Sequence, residues 1–397
     1  MSVNIAVSQI AVPMIDEINK KLPLLRNAEG GYDKEFVGGN GSIISVIIAD
    51  YGVVGTGPAL VASQLNYNSQ TVSITLVQNN VAIPLTQIND TLFLSDKQVQ
   101  VAEPYAANLA TAIQTSAALA LTLAADGITV TSGSYSTIRT AIGSIKASRY
   151  DGKIVGVLAN EFYTQVQNSG LQMFNTGVPL TNKDGTEIIS NFGGAEWYET
   201  PDIAPLVTGT WAPAASATVA TTVSADGATS IVITDASATS AVSIAAGQAF
   251  SVAGIKIVDR YGKAISQNYA FIAQTSAVGS AGSMTVTVKP LIFSSVPTKN
   301  VSGFITAGLV VTAIHAANST YLRGIVYGTQ AFAYAAAKMK PIATTSVTFE
   351  DVDGGLAIMA TEGQDVYNGF TYIRWDVLTG FKLLRSNFAR VIDILVA

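Results

Sequence analysis

The spacing of apolar residues changes along this chain, and each change predicts a new element. Residues 3–26 carry Ile5, Val7, Ile10, Val12, Ile15, Ile18 and Leu22 at helix-like intervals with a break at Pro13, which predicts an amphipathic arm. Gly30, Gly31, Gly38, Gly39 and Gly41 then loosen the chain. From Ser42 to Thr91 the pattern is extended: Ile43, Ile44, Val46, Ile47 and Ile48 form one β run and Val72, Ile74, Leu76 and Val77 another, with a glycine-rich tip between Gly52 and Gly57.

At Ser95-Asp-Lys-Gln98 a capping-box pattern opens a helix of about 30 residues, or roughly 45 Å, that runs to Asp126-Gly127. Tyr105, Leu109, Ile113, Ala117 and Leu121 recur every fourth residue and give it one apolar face, and Pro104 marks a kink or a late start. A helix with Ile138, Ile142 and Ile145, a strand over Ile154–Leu158 and a helix after Asn160 make a mixed unit.

Near Leu206 the composition turns to Ala, Ser, Thr and Val with turn signals at Asp226-Gly227 and Gly279–Gly282. Short runs at 230–234, 248–252, 255–258 and 284–288 predict an inserted all-β barrel or sandwich over residues 207–304 without helices. Mixed structure resumes at 309–316 and 327–338, followed by strands carrying Val347, Phe349, Leu356, Ile358, Tyr372, Ile373 and Trp375. The fold class expected is α+β.

Composition narrows the function. With 397 residues and 49% apolar content the chain can bury a large core, yet only 12% of its residues are charged, about half the usual share. Much of its surface is therefore expected to face something other than water. No charge at all occurs between Asp50 and Asp90, and an apolar ribbon of that length is an aggregation hazard unless a partner covers it.

Lipid does not fit: the charge-free stretches 104–125 and 301–322 are interrupted by Asn108, Gln114 and Thr122, and by Gly303, His315 and Asn318. No basic region precedes an apolar run at the N-terminus, so no export signal is expected. The net charge of −5 disfavours tight nucleic-acid binding but suits a wall that encloses nucleic acid.

Candidate chemistry is sparse. The chain has no cysteine and one histidine, His315, inside the apolar run 310–317, where a hydrogen-bonded core or interface role outweighs a catalytic or metal role because no partners recur around it. Gly38-Gly39-Asn40-Gly41 and Gly55-Thr56-Gly57 lack the residues that make phosphate loops. Glu350, Asp351 and Asp353 beside Gly354-Gly355 read as a solvated turn, and Lys382, Arg385 and Arg390 as a solvated or interface face. No enzyme, cofactor or metal site is expected.

Three stretches carry a family resemblance: Gly247-Gln-Ala-Phe-Ser-Val-Ala-Gly-Ile-Lys-Ile with Val286-Thr-Val-Lys-Pro290; Asp353-Gly-Gly-Leu-Ala-Ile-Met-Ala-Thr-Glu-Gly-Gln-Asp365 with Tyr372-Ile-Arg-Trp-Asp-Val-Leu; and Val155 to Tyr163. With the order of elements, they resemble the major capsid proteins of tailed double-stranded DNA phages, the Hong Kong 97-type fold, closest to the Salmonella short-tailed phage coat protein family with an inserted domain.

The resemblance implies an N-terminal arm (1–41), an E-loop hairpin (42–94), a spine helix with the first part of the peripheral and axial core (95–206), an inserted β domain (207–304) and the second part of the core (305–397). It implies a virion location after assembly in the bacterial cytoplasm. Partners would be copies of the same chain in pentamers and hexamers, with scaffolding and portal proteins during assembly and DNA enclosed without sequence-specific contacts. Some members weld their shells through an E-loop lysine, and residues 42–94 hold neither lysine nor arginine, so association here is noncovalent. Ile44, Val46, Ile48, Val72, Ile74 and Leu76 are the residues expected at the subunit interface. A secreted surface-layer or adhesin-type subunit is the alternative, disfavoured by the missing export signal and calcium motifs.

Overall fold

A computed structural model describes residues 18, 22–29, 43–48, 70–86, 95–131, 135–162, 188–294, 298–339, 346–350, 356–365 and 370–396. Residues 3–17 of the expected arm, the tip 52–57, and Asp351 and Asp353 lie outside the described residues, and of the helix expected after Asn160 only 160–162 are described, as helix.

The 30-residue helix Ser95–Ala124 continues through Pro104 and organises two sheets. Pro104 sits in the second half of its third turn, and the apolar face predicted from the four-residue spacing is the buried one. Its middle turns, through Ala106, Leu109, Ala110 and Ile113, pack on Ile358, Ala360, Ile373, Trp375 and Val377. These belong to a five-stranded antiparallel sheet of Phe332–Ala336, Phe370–Leu383, Ala357–Asp365, Ser346–Glu350 and Val77–Thr86. Ile18 and Leu22, the described end of the expected arm, join the same cluster.

The C-terminal half of the helix, through Ala117, Ala118 and Leu121, packs into a second core with Ile138, Ile142, Ile145, Val155, Val157, Ile325 and Val391. The sheet there is seven-stranded and mixed, running Gly127–Thr131, Ala389–Leu395, Thr320–Gly328, Ile154–Ala159, Ala195–Thr200 and Ile188–Phe192, with Leu206–Val207 paired to Thr320 and Tyr321. Two of its pairings are parallel, 127–131 with 389–395 and 154–159 with 195–200. Every residue of Ile154–Ala159 is buried, which explains its unbroken apolar run: a strand covered on both faces has no solvent side to alternate with. Gly156 leaves the room that the Trp197 ring occupies, since a methyl carbon there would lie 2.3 Å from the ring.

Between Leu206 and Ala313 the described chain contains only strands and turns. The longest pairing joins Ala228–Thr234 to Ser283–Leu291. These strands enclose a core of their own, with Trp211, Ile231, Ile233, Phe250, Phe271, Val286 and Val311. One expectation changes: Val311–Ala313, assigned to resumed mixed structure, pairs with Ala249–Val252 and adds a strand to this β region, beyond residue 304. Side chain Asp235 ties the region together, accepting hydrogen bonds from Trp211 Nε1 at 2.9 Å, Ser237 Oγ at 2.8 Å and the backbone N–H of Ser237 at 2.9 Å. Burial would raise the Asp235 carboxyl, but these donors outweigh it and hold it below the ordinary value.

Two outcomes are expected. Gly156→Ala forces the added methyl into Trp197 and costs about 1–3 kcal/mol, read as a lower thermal midpoint. Because the folded carboxyl of Asp235 titrates below its unfolded value of about 3.9, its stabilisation is present above that pH and is lost as pH falls through the folded value. Acid titration followed by tryptophan fluorescence should therefore show a loosening of the β region that Asp235→Asn abolishes.

Candidate assembly surface

Ile43–Ile48 and Gln70–Thr75 form an antiparallel hairpin in continuous register from Ile43 opposite Thr75 to Ile48 opposite Gln70. Strict alternation divides it. Ile44, Val46, Ile48, Ile74 and Leu76 point inward and are buried, and Val72 is half-buried with them. Their neighbours are Ala333, Ala335, Ala337 and Leu384 of the same chain. Small residues make this docking possible, and Gly380 most of all: a side chain there would come within 2.6 Å of the Thr75 carbonyl oxygen and 2.9 Å of Ile74. After Leu76 the chain enters the five-stranded sheet, where Val77–Thr86 pairs along Phe370–Thr379.

Ile44, Val46, Ile48, Val72, Ile74 and Leu76 are the residues expected at the subunit interface. Within the chain they carry the hairpin onto its own subunit, five of them buried and Val72 half-buried. The outward side is Ile43 at 51% exposure and Ile47 at 68%, with Ser45, Thr71, Ser73 and Thr75, and Val77 at 58% follows. A strand buried on one face usually turns polar residues outward. Here the outward face is also uncharged, and among the described residues each hairpin strand is paired along one edge only. Exposed apolar side chains beside open strand edges are a template for another chain. The signal was present in the sequence, since residues 43–48 are apolar at positions of both parities.

Two of the groups that invited a chemical reading, His315 and Arg390, are buried and hydrogen-bonded. His315 is buried: its Nδ1 accepts from the Ala249 N–H at 3.1 Å, so its Nε2 carries the proton and donates to Asp393 Oδ2 at 2.7 Å. Arg323 lies 3.3 Å from the same carboxylate and donates to the Gly247 carbonyl at 2.6 Å. Arg390, expected on a solvated or interface face, is fully buried; it donates to Ser144 Oγ at 2.8 Å, Gln267 Oε1 at 3.0 Å and the Asn387 carbonyl at 2.9 Å. Burial pulls its guanidinium down to about 10, partly offset by Asp126.

Lys289 pairs with the buried Asp126 and donates to the Ala124 carbonyl at 2.6 Å, while Gln274 donates to the Leu123 carbonyl at 3.0 Å. Side chains of the β region thus close the free carbonyls at the end of the long helix. Among the described residues no three His, Cys, Asp or Glu side chains cluster to hold a metal. The segment Pro104–Ala124 is long and apolar enough to cross a membrane, but half of it is buried against the two sheets, and the stretch 301–322 is turn and strand.

No protein-family model matches the sequence, and no curated protein matches it. Among solved structures, 94% of the chain aligns with 87% of a chain titled as the capsid of Ralstonia phage GP4, at 8% identity and a TM-score of 0.47. A chain titled Gordonia phage Cozz aligns over 95% of this chain and 88% of its own, at 7% identity and a TM-score of 0.43. A virus-like particle from Pyrococcus furiosus aligns over 96% of both chains, at 8% identity and a TM-score of 0.40.

The two faces of the hairpin predict opposite consequences. Ile74→Asp buries an unpaired charge and should cost about 4 kcal/mol or more, leaving little folded protein. Ile47→Asp, on the exposed face, should shift stability by less than about 0.5 kcal/mol; circular dichroism melts of the two variants test the assignment.

Proposed function

We propose that this chain is a shell-forming structural protein, the major capsid protein of a tailed double-stranded DNA bacteriophage with the Hong Kong 97-type fold. The observation that carries the reading is the hairpin, anchored on one face to its own subunit and offering on the other an uncharged surface with open strand edges. Each subunit presents this element to the next, and repetition of one modest contact closes a shell held by many. The burial contributes about 25 cal/mol per Å² of apolar surface, with no covalent weld.

Supporting it are the order of elements, hairpin, long helix, mixed core, β region, core, and the low charge of the whole chain. In this reading the β region is the inserted domain, extended to Ala313 by its last strand, and residues 95–206 with the C-terminal strands form the peripheral and axial core. Pentamers and hexamers build the shell in the bacterial cytoplasm, with scaffolding and portal proteins taking part, and the finished virion encloses DNA without sequence-specific contacts. Catalysis and cofactors have no part in it.

Electron microscopy of the purified chain at increasing concentration tests the proposal. Closed icosahedral shells are expected from the unmodified protein, and folded, unassembled subunits from Ile47→Asp. Flat lattices, or monomers at every concentration, would overturn it.

A further inference from the structure

At the junction of the β region with the helix Tyr135–Ala147, an exposed aromatic ring lies within cation–π distance of two guanidinium groups. The Arg149 Cζ lies 5.4 Å from the Tyr261 ring centroid and the Arg260 Cζ 5.1 Å from it. Tyr261 is 40% exposed.

The arrangement is built from the backbone outward. Arg149 ends the helix with φ of 64°, a left-handed conformation that favours Gly or Asn and is unusual for a long side chain. From there its Nε donates to Asp259 Oδ2 at 2.9 Å. The other oxygen of Asp259 accepts the N–H groups of Tyr261 and Lys263, each at 2.9 Å, and Gly262 with φ of 76° closes the turn. The Arg260 N–H donates to the Ser148 carbonyl at 3.2 Å, and its side chain lies 3.6 Å from the exposed Asp151. A tight turn, a helix end and a buried carboxylate thus set where Arg149, Arg260 and Tyr261 leave the backbone before anything binds.

Rigid tyrosines and arginines are the residues on which protein interfaces concentrate their energy, because they bring large contact area at little entropic cost. Charge says what the surface fits. Segments 139–153 and 256–263 hold seven of the 22 Lys and Arg residues but only two of the 27 Asp and Glu residues, leaving 15 basic against 25 acidic residues in the rest of the chain. Any other copy therefore carries an excess of acidic residues outside these segments. Such complementarity steers encounter and fixes register.

We infer that the Tyr261 cluster, with Arg149 and Arg260, is a second self-association site that docks on a carboxylate-bearing surface of a neighbouring copy. It rests on the reading of the chain as a self-assembling protein but is separate from the hairpin.

The test compares Tyr261→Ala, Tyr261→Phe and Arg260→Glu with the unmodified chain and Ile47→Asp, by sedimentation velocity across concentration at low and high salt, after thermal melts establish folding. Tyr261→Ala and Arg260→Glu should melt normally and raise the concentration at which assemblies appear about tenfold or more. Tyr261→Phe, which keeps the ring, should assemble as the unmodified chain does, and salt should weaken the unmodified assembly. Assembly of Arg260→Glu at the unmodified concentration overturns the site while leaving the shell reading in place. So does an unchanged threshold combined with loss of binding to double-stranded DNA in a mobility-shift assay, which would assign the cluster to phosphates. If the unmodified chain never self-associates, both readings fall.

Discussion

One helical face serves two sheets. The long helix spends Ala106 to Ile113 on the five-stranded sheet and Ala117 to Leu121 on the seven-stranded one, so a single rigid rod sets the spacing between the two cores. Because interiors pack at near-crystalline density, neither core can shift along the helix without opening voids in the other. The hairpin depends on this indirectly, since its shelf, Ala333 to Ala337, and its continuation, Val77–Thr86, both belong to the five-stranded sheet.

Buried polar groups fasten the β region to that frame. The Asp126–Lys289 pair, the Arg390 hydrogen bonds to Gln267 and Ser144, and the His315–Asp393–Arg323 group all lie where the β region meets the seven-stranded sheet or the helix end. Breaking a buried pair by removing one partner typically costs 3–5 kcal/mol, because the charge left behind is unsolvated. The joint is therefore directional: apolar contact would hold the two parts together, whereas these groups hold them in one orientation. A surface that recurs in an assembly needs that fixed geometry, and the Tyr261 cluster sits on the same joint.

The low charge content also finds its physical setting. A chain with few charges normally risks indiscriminate aggregation. Here the inward residues of the hairpin are spent within the subunit, and what remains outside is a narrow, alternating face with Ile43 and Ile47.

Much of this was legible in the sequence, because local periodicity is written in consecutive residues. The spacing of Leu109, Ile113, Ala117 and Leu121 determined the buried face of the long helix, the β-branched runs at 43–48 and 72–77 pointed to two strands, and the composition after Leu206 pointed to short strands. What only the tertiary structure decided is which partner each pattern meets. Ile74 and Leu76 look the same in sequence whether they cover a neighbour or their own sheet, and the small residues Ala333, Ala335 and Gly380 that settle it are some 260 positions or more away. Val311–Ala313 joined the β region, Arg390 went inside and Tyr261 came to rest near Arg149 for the same reason: long-range pairing and burial are properties of the folded chain, set by distant residues brought together, and no local pattern encodes them.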